Sequence, residues 1–438
     1  MNNADLLRRS LAAVWHPCTQ MKLHETLPLV PIRRAQGPWL EDCDGHRYLD
    51  AISSWWTNLF GHGHPRIVAA LREQLDTLDH VMLAGFTHEP VVALSEKLSA
   101  LTGRELGHCF YASDGASAVE IALKMSFHFW RNSGRPGKNR FVSLAGSYHG
   151  ETLGALAVTD VALFRDAYAP LLRACDTVPS PDWRLAGDGQ TPRDAAVAAA
   201  VALEAYLAEN HAEVAALIVE PLVQCAAGMA MHDAEYLRRA RTLCDRYGVH
   251  LIADEIAVGC GRTGSFFAHE QADIVPDFLC LSKGITGGTL PLSVVLTTDA
   301  VFAAFWDDST ARGFLHSHSY TGNPLACRAA LATLEIFETE DVLAANRRLA
   351  ARINAAVAPL AADPRLAHVR NTGMIWAFEA QTDDPLFARR FHQAAMARGL
   401  LLRPLGNTVY FMPPYVLGDE EIALLVSGTV DALNAVLP

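Results

Sequence analysis

Two residues are placed where they could work on one organic cofactor. The apolar run 250–254 (HLIAD) ends in Asp254, and the run 277–281 (DFLCL) leads through Ser282 into Lys283. Ligands of open parallel α/β sheets collect beyond the carboxyl ends of the strands. If both runs are strands of such a sheet, the acid and the amine face one crevice. That pair suits pyridoxal phosphate: the lysine forms a Schiff base, and the carboxylate keeps the pyridine nitrogen protonated so that the ring withdraws electrons. A lysine on a surface loop and an acid closing a strand end would look the same, and spacing alone does not separate the two readings.

The patterning supplies the elements that must hold this pair. Helical and strand periods alternate through most of the chain, which predicts a layered α/β fold. Besides the two runs above, 108–112 (HCFYA), 141–145 (FVSLA) and 215–219 (AALIV) are short, apolar and bounded by turn residues, as central strands of a mostly parallel sheet are. Ser113-Asp114-Gly115-Ala116-Ser117 then opens a helical stretch, and residues 66–79 set Ile67, Leu71, Leu75 and Leu78 on one stripe. Residues 179–194 read as a surface loop and 195–208 as an Ala-rich helix. After about 325, Ala- and Arg-rich helical stretches lead into short strands near 373–379 and 408–412 and a terminal helix. The expected organisation is a small domain from 1–60 and 325–438 around a large domain, 61–324.

Composition narrows the function. The 438 residues amount to roughly three domains' worth of chain at ~150 each. Half are hydrophobic and 19% charged, which excludes wholesale disorder. A net charge of −12 with no basic block argues against a nucleic-acid partner. No segment has the ~20 unbroken apolar residues of a membrane span. The N-terminal twenty residues lack a secretory pattern. Nine scattered cysteines without a CxxC pair read as reduced thiols, so a cytoplasmic location is expected. The slightly positive mean hydropathy points to surface covered in an oligomer. The pairs His62/His64 and His316/His318 could ligate zinc, but neither brings the three or four ligands a site needs, and no metal is expected.

The string DEIAVGCGRTG (254–264), followed by LSKGITGG (281–288), closely resembles the signature of the class III pyridoxal-phosphate aminotransferases, and the resemblance runs over nearly the whole chain. It implies a fold type I transferase, with a mostly parallel sheet in the large domain and a smaller α+β domain built from both chain ends. Lys283 and Asp254 would be the catalytic amine and acid. Gly115 and Ala116 would hold the cofactor phosphate at a helix start, where free amides and the helix dipole favour anions. In Gly146-Ser147-Tyr148-His149-Gly150, Tyr148 would stack on the cofactor ring and touch substrate, while Glu220-Pro221-Leu222-Val223-Gln224 would line the cofactor side of the cleft. The loop His316-Ser317-His318-Ser319-Tyr320-Thr321-Gly322-Asn323-Pro324 is similar to one that a neighbouring subunit lends to the phosphate. His318 and Ser319 would serve the cofactor there, and Ser317 the substrate, in a homodimer.

Further segments narrow the reaction: WHPCTQM at 15–21, Ser53-Ser54-Trp55-Trp56, Arg403-Pro404-Leu405-Gly406 and YFMPPY at 410–415. Together they resemble the branch of the family that aminates 8-amino-7-oxononanoate to 7,8-diaminononanoate in biotin biosynthesis. By that resemblance Arg403 pairs with the acceptor's carboxylate, Trp55 supplies an apolar wall for the methylene chain or for the donor, and Tyr410 adds a contact. Relatives commonly carry Tyr where this chain has Cys18; S-adenosylmethionine is the expected amino donor, with lysine, which some relatives use, as the alternative. Two other readings stand beside this one. A class III enzyme for ω-amino acids or polyamines with a 2-oxo acid acceptor would share fold and cofactor. A non-catalytic binding module would have no use for an intact Asp254 and Lys283.

Overall fold

The structure is a computed structural model that describes residues 2–437. The chain forms two compact units, Arg66–Arg348 with Arg370–Ile375, and Met1–Pro65 with Leu349–Val369 and Trp376–Pro438. The first is built on a seven-stranded sheet. Its strands in chain order are β1 (His108–Ala112), β2 (Arg140–Leu144), β3 (Asp176–Val178), β4 (Val214–Val219), β5 (His250–Asp254), β6 (Phe278–Leu281) and β7 (Ser293–Thr297). They lie side by side as β1-β7-β6-β5-β4-β2-β3. Pairing is parallel from β6 through β5, β4 and β2 to β3, and antiparallel on both sides of β7.

Strands β4 to β7 are buried at every position. Sheets covered on both faces produce continuous apolar runs of this kind, which is why β4, β5 and β6 are visible in the sequence, beside the partly buried β1 and β2. The parallel register sets Asp254 opposite Cys280, so the carboxyl ends of β5 and β6 lie together and Lys283 leaves from the same edge. Strand β7 was not anticipated. It is an apolar run too, but the connection Ser282–Leu292, which carries Lys283, reverses the chain and makes it the one antiparallel member.

The 18-residue helix α1 (Gly115–Asn132) follows β1 and turns one face to the sheet. Asp114 caps it, accepting the Ser117 N–H at 2.9 Å. The expected stripe at 66–79 needs correction. That helix runs Pro65–Leu75 and buries Ile67, Ala70 and Gln74, while Leu75 at its end is 58% exposed. The chain division also differs from the one expected at 324. Helix α2 (Pro324–Thr339) packs on the helix Glu89–Leu101 and on the turn that begins at Lys283, so it stays with the large sheet.

In the second unit, Ile32–Gln36, Trp39–Asp42, Arg47–Asp50 and Leu400–Leu401 form a four-stranded sheet that joins the two chain ends. Trp376 to Glu379 pair antiparallel with Phe411 to Thr408. The terminal helix Asp419–Val436 packs on Phe387–Met396. Among the described residues no helix is long and apolar enough to cross a membrane.

Candidate active site

At the edge of the large sheet, Asp254 is almost fully buried and keeps two donors. His149 Nδ1 lies 2.7 Å from its Oδ2, and the Ile256 N–H reaches its Oδ1 at 3.1 Å. With Asp254 as a carboxylate, which only accepts, the contact assigns a proton to His149 Nδ1. The neighbouring Glu220 accepts from the backbone N–H of Tyr148 at 3.0 Å and of Cys225 at 3.1 Å. Burial, reinforced by the Asp254 carboxylate and opposed by His149, pushes Glu220 up to about 7. Lys283 opens a short 3-10 turn with φ of 45°, a left-handed conformation that L-residues seldom adopt. The protein packed around its ammonium lowers the pKa, against the pull of Asp254, Cys225 and Glu220. The result is an amine that is neutral more often than a surface lysine, close to two carboxylates.

The loop 146–150 lies against the start of α1. A Cβ on Gly150, which has φ of 127°, would sit 2.5 Å from the Ala116 Cβ, so only glycine permits this approach. A Cβ on Gly115 would meet the Ile256 methyl at 2.9 Å, which ties the helix start to the segment after Asp254. The Asp114 cap engages Ser117, leaving the amides of Gly115 and Ala116 outside the cap at the positive end of a long helix. Tyr148 is half-buried; its hydroxyl donates to Glu151 at 2.9 Å and its ring meets Phe164 edge-on. Thus Asp254, Lys283, Tyr148, Gly115 and Ala116 belong to one edge of one sheet. The His316–Ser319 loop is arranged differently. Its histidines face each other at 3.2 Å, Lys124 Nζ approaches His316 Nδ1 at 2.8 Å, and Ser317 and Ser319 are exposed.

The remaining expected residues lie in the other unit. Arg403 is exposed, its guanidinium carbon 5.0 Å from the centre of the Trp55 ring, and its Nη2 donates to the Cys18 carbonyl at 3.1 Å. Cys18 therefore contributes its backbone. Tyr410 is buried below them, its hydroxyl accepting from the Trp56 indole N–H at 3.1 Å. The turn that carries the two tryptophans is strained: Ser53, Ser54, Trp55 and Trp56 have φ of 51, 45, 70 and 72°. At about 1–2 kcal/mol per left-handed residue, the turn costs on the order of 4–8 kcal/mol, which the surroundings must offset.

The family pattern described as "Aminotransferase class-III" matches residues 20–433. The chain belongs to the class III aminotransferases. Its cofactor is pyridoxal 5′-phosphate. A Helicobacter pylori relative named adenosylmethionine-8-amino-7-oxononanoate aminotransferase is 46% identical, over 98% of this chain and 98% of its own. A solved structure of the same name from Methanocaldococcus jannaschii superposes with a TM-score of 0.94 at 32% identity and covers both chains in full. An amine transaminase from an uncultivated Pseudomonas species, solved with its pyridoxal phosphate, gives 0.92 at 32% identity over 97% of this chain and 99% of that one.

The residues present fit this cofactor. A lysine with a lowered pKa, an acid with two donors and two amides at a helix start are the donors and acceptors that an aldehyde, a pyridinium and a phosphate need. The sequence gives no sign of the role of His149, although it lies within the GSYHG motif. It gives no sign either that Asp50 and His62 support the strained turn, His62 reading there only as half of a His-x-His pair. For Asp50 the available signal was an acid ending the strand RYLD just before SSWW.

Proposed function

We propose that this aminotransferase converts 8-amino-7-oxononanoate to 7,8-diaminononanoate, with S-adenosylmethionine as amino donor, and that it works as a homodimer. The observation that carries the substrate is Arg403: an exposed guanidinium stacked on an exposed indole offers a fork for a carboxylate beside an apolar wall for a methylene chain. The names of the Helicobacter and Methanocaldococcus proteins support the same reading. Cys18 holds Arg403 through its carbonyl, so the departure from tyrosine there leaves the carboxylate site intact.

Pyridoxal phosphate, when bound, supplies a carbonyl for the incoming amine and an electron sink for the carbon that loses its proton. Lys283 would anchor it and, once displaced by substrate, carry the proton from one carbon to the other; its lowered pKa leaves a neutral amine available as base. Asp254 would hold the ring nitrogen's proton, with His149 and the Ile256 N–H keeping the carboxylate oriented. Gly115 and Ala116 N–H would bind the phosphate, with His318 and Ser319 supplied by the partner subunit's copy of the loop and Ser317 near the substrate. Tyr148 would cover the ring. Trp55 and Arg403 would hold the acceptor, and Tyr410 would act from beneath through Trp56.

The test is a half-reaction that needs no donor. Adding 7,8-diaminononanoate to cofactor-loaded protein should bleach the visible cofactor absorption stoichiometrically and release 8-amino-7-oxononanoate. Bleaching by an ω-amino acid or simple amine but not by the diamine would transfer the function to the amine transaminases, whose Pseudomonas member is as similar in sequence to this chain, at 32%, as the Methanocaldococcus protein is. The donor is then read by supplying S-adenosylmethionine or lysine to the same protein.

A further inference from the structure

Four consecutive non-glycine residues in the left-handed region are not a local preference of Ser-Ser-Trp-Trp. A single such residue is common in turns, but a run of them needs support from outside. The support converges on one fully buried side chain. Asp50 Oδ1 accepts the Ser54 N–H at 2.8 Å, and its Oδ2 accepts the Ser54 hydroxyl at 2.7 Å and His62 Nε2 at 2.9 Å. His62 is itself fixed. It pairs with Gly37 through both backbone hydrogen bonds, at 2.9 and 2.7 Å, and Gly61 before it comes so close to Gly37 that a Cβ would lie 2.7 Å from the Gly37 Cα. On the far side of the turn, the Ser53 hydroxyl donates to the Met412 carbonyl at 2.7 Å and the Trp56 indole to Tyr410.

Within the turn, Ser53, Ser54 and Trp56 are thus bonded inward. Ser54 and Trp55 are the exposed residues of the turn, but Ser54 is held by Asp50, whereas the Trp55 side chain, 44% exposed, projects outward and its ring meets Arg403. A bent backbone that holds its neighbours and projects one indole under one guanidinium sets the orientation of the fork. A carboxylate binds bidentately only when the plane of that fork is fixed.

We propose that Asp50 and His62 are positioning residues of this enzyme. Together they clamp Ser53–Trp56 in the left-handed turn, so that Trp55 holds Arg403 in the orientation that reads the acceptor's terminal carboxylate. The ligand rests on the function proposed above; the clamp rests on geometry alone. Neither residue touches substrate.

The test uses Asp50→Asn in the cofactor-loaded enzyme. The amide would turn a donor toward Ser54 or toward His62, where the carboxylate had offered two acceptors. The expected result is a KM for 8-amino-7-oxononanoate raised roughly tenfold or more, as small misplacements of a binding group produce. The bleaching rate with the amino donor should change less than about twofold, being set at the other substrate. Nonanoate, as a carboxylate probe without an amine or ketone, should lose affinity in calorimetry by the same factor as the KM rises. His62→Gln, which keeps a donor to Asp50, should stay near wild type, whereas His62→Ala should follow Asp50→Asn. In a Trp55→Ala background Asp50→Asn should add no further loss, because the clamp acts through that ring. Additive losses, or equal losses for donor and acceptor, would overturn the proposal. If Asp50→Asn does not fold, Ser54→Ala removes a single bond of the clamp and carries the same expectations. A crystal structure of whichever variant is used decides the clamp independently of the ligand. Relaxation of Ser53–Trp56 with Trp55 leaving Arg403 supports it, and an unchanged turn refutes it. A wild-type enzyme that neither uses the keto acid nor binds nonanoate would remove the substrate reading and leave that structural test standing.

Discussion

Replacing His149 with Phe tests whether the buried pair it forms with Asp254 is what fits this protein to its cofactor. The ring is fully enclosed, and its Nδ1 stands 2.7 Å from a carboxylate that is itself only 4% exposed. A hydrogen bond to a buried charged group contributes about 1.5–3 kcal/mol. Phenylalanine keeps the ring's volume and removes the donor, so Asp254 would retain only the Ile256 N–H, at 3.1 Å. At 1.4 kcal/mol per decade, the anionic form of the acid loses about 10- to 150-fold in stabilisation. The cofactor's protonated ring nitrogen needs that anion, so the loss should appear in two places. The dissociation constant for pyridoxal phosphate, titrated by visible absorption, should rise by about one to two decades, and kcat should fall by a comparable factor. His149→Asn, which keeps a donor on a shorter side chain, should recover part of both. A Phe variant that folds, by circular dichroism and thermal melting, yet binds the cofactor within about twofold of wild type would refute the argument.

Lys283→Ala should abolish the visible band of the bound cofactor and nearly all turnover, read by absorption and a steady-state assay; retained activity would remove Lys283 from the mechanism. Arg403→Lys keeps the charge but loses the planar fork, so KM for the keto acid should rise about tenfold or more while the donor half-reaction is spared. A loss confined to the donor would mean the carboxylate site is elsewhere. His250 gives the pH dependence of stability. Burial among Phe129, Trp130 and Phe278 pushes it down to about 4 from an ordinary 6.5. The unfolded chain therefore takes up a proton first as pH falls. The cost is absent above about 6.5, grows below it and levels off near 4, reaching on the order of 3 kcal/mol. Melting curves from pH 7 to 4 should show this slope reduced in His250→Gln, and an equal slope would refute the assignment. Light scattering of the loaded enzyme should give the mass of two chains, and a mass of one chain under active conditions would contradict the shared loop.

The central strands β4 to β6 are legible because they are buried on both faces, although β7, equally buried, was missed. HLIAD and DFLCL have no solvent face to encode, so they appear as unbroken apolar runs, and the register that sets Asp254 opposite Cys280 follows from their parallel pairing. The helix at 65–75 was misread for the opposite reason. On a half-exposed helix a leucine stripe does not fix which face is covered, and here Gln74 is buried while Leu75 is not. At the site, Asp254 and Lys283 were visible from their places at strand ends. His149 was hidden because nothing local ties residue 149 to residue 254; only the packing of the 146–150 loop against α1, through Gly150 and Ala116, brings them within bonding distance.

The residues that the sequence conceals most completely are those whose backbone contradicts their own preference. Ser53 to Trp56 read as an ordinary polar-aromatic stretch and give no hint of a left-handed turn, and Lys283 reads as any lysine after a strand although its φ is 45°. Local conflict survives only where distant groups over-determine the conformation. For the turn those groups are Asp50, His62 and Met412, the last from the opposite end of the chain. A turn strained by several kcal/mol cannot be stabilised by its own few residues, and the C-terminal strand and the strand ending at Asp50 close on it from two sides. Removing either support should therefore reach Arg403 before it reaches global stability.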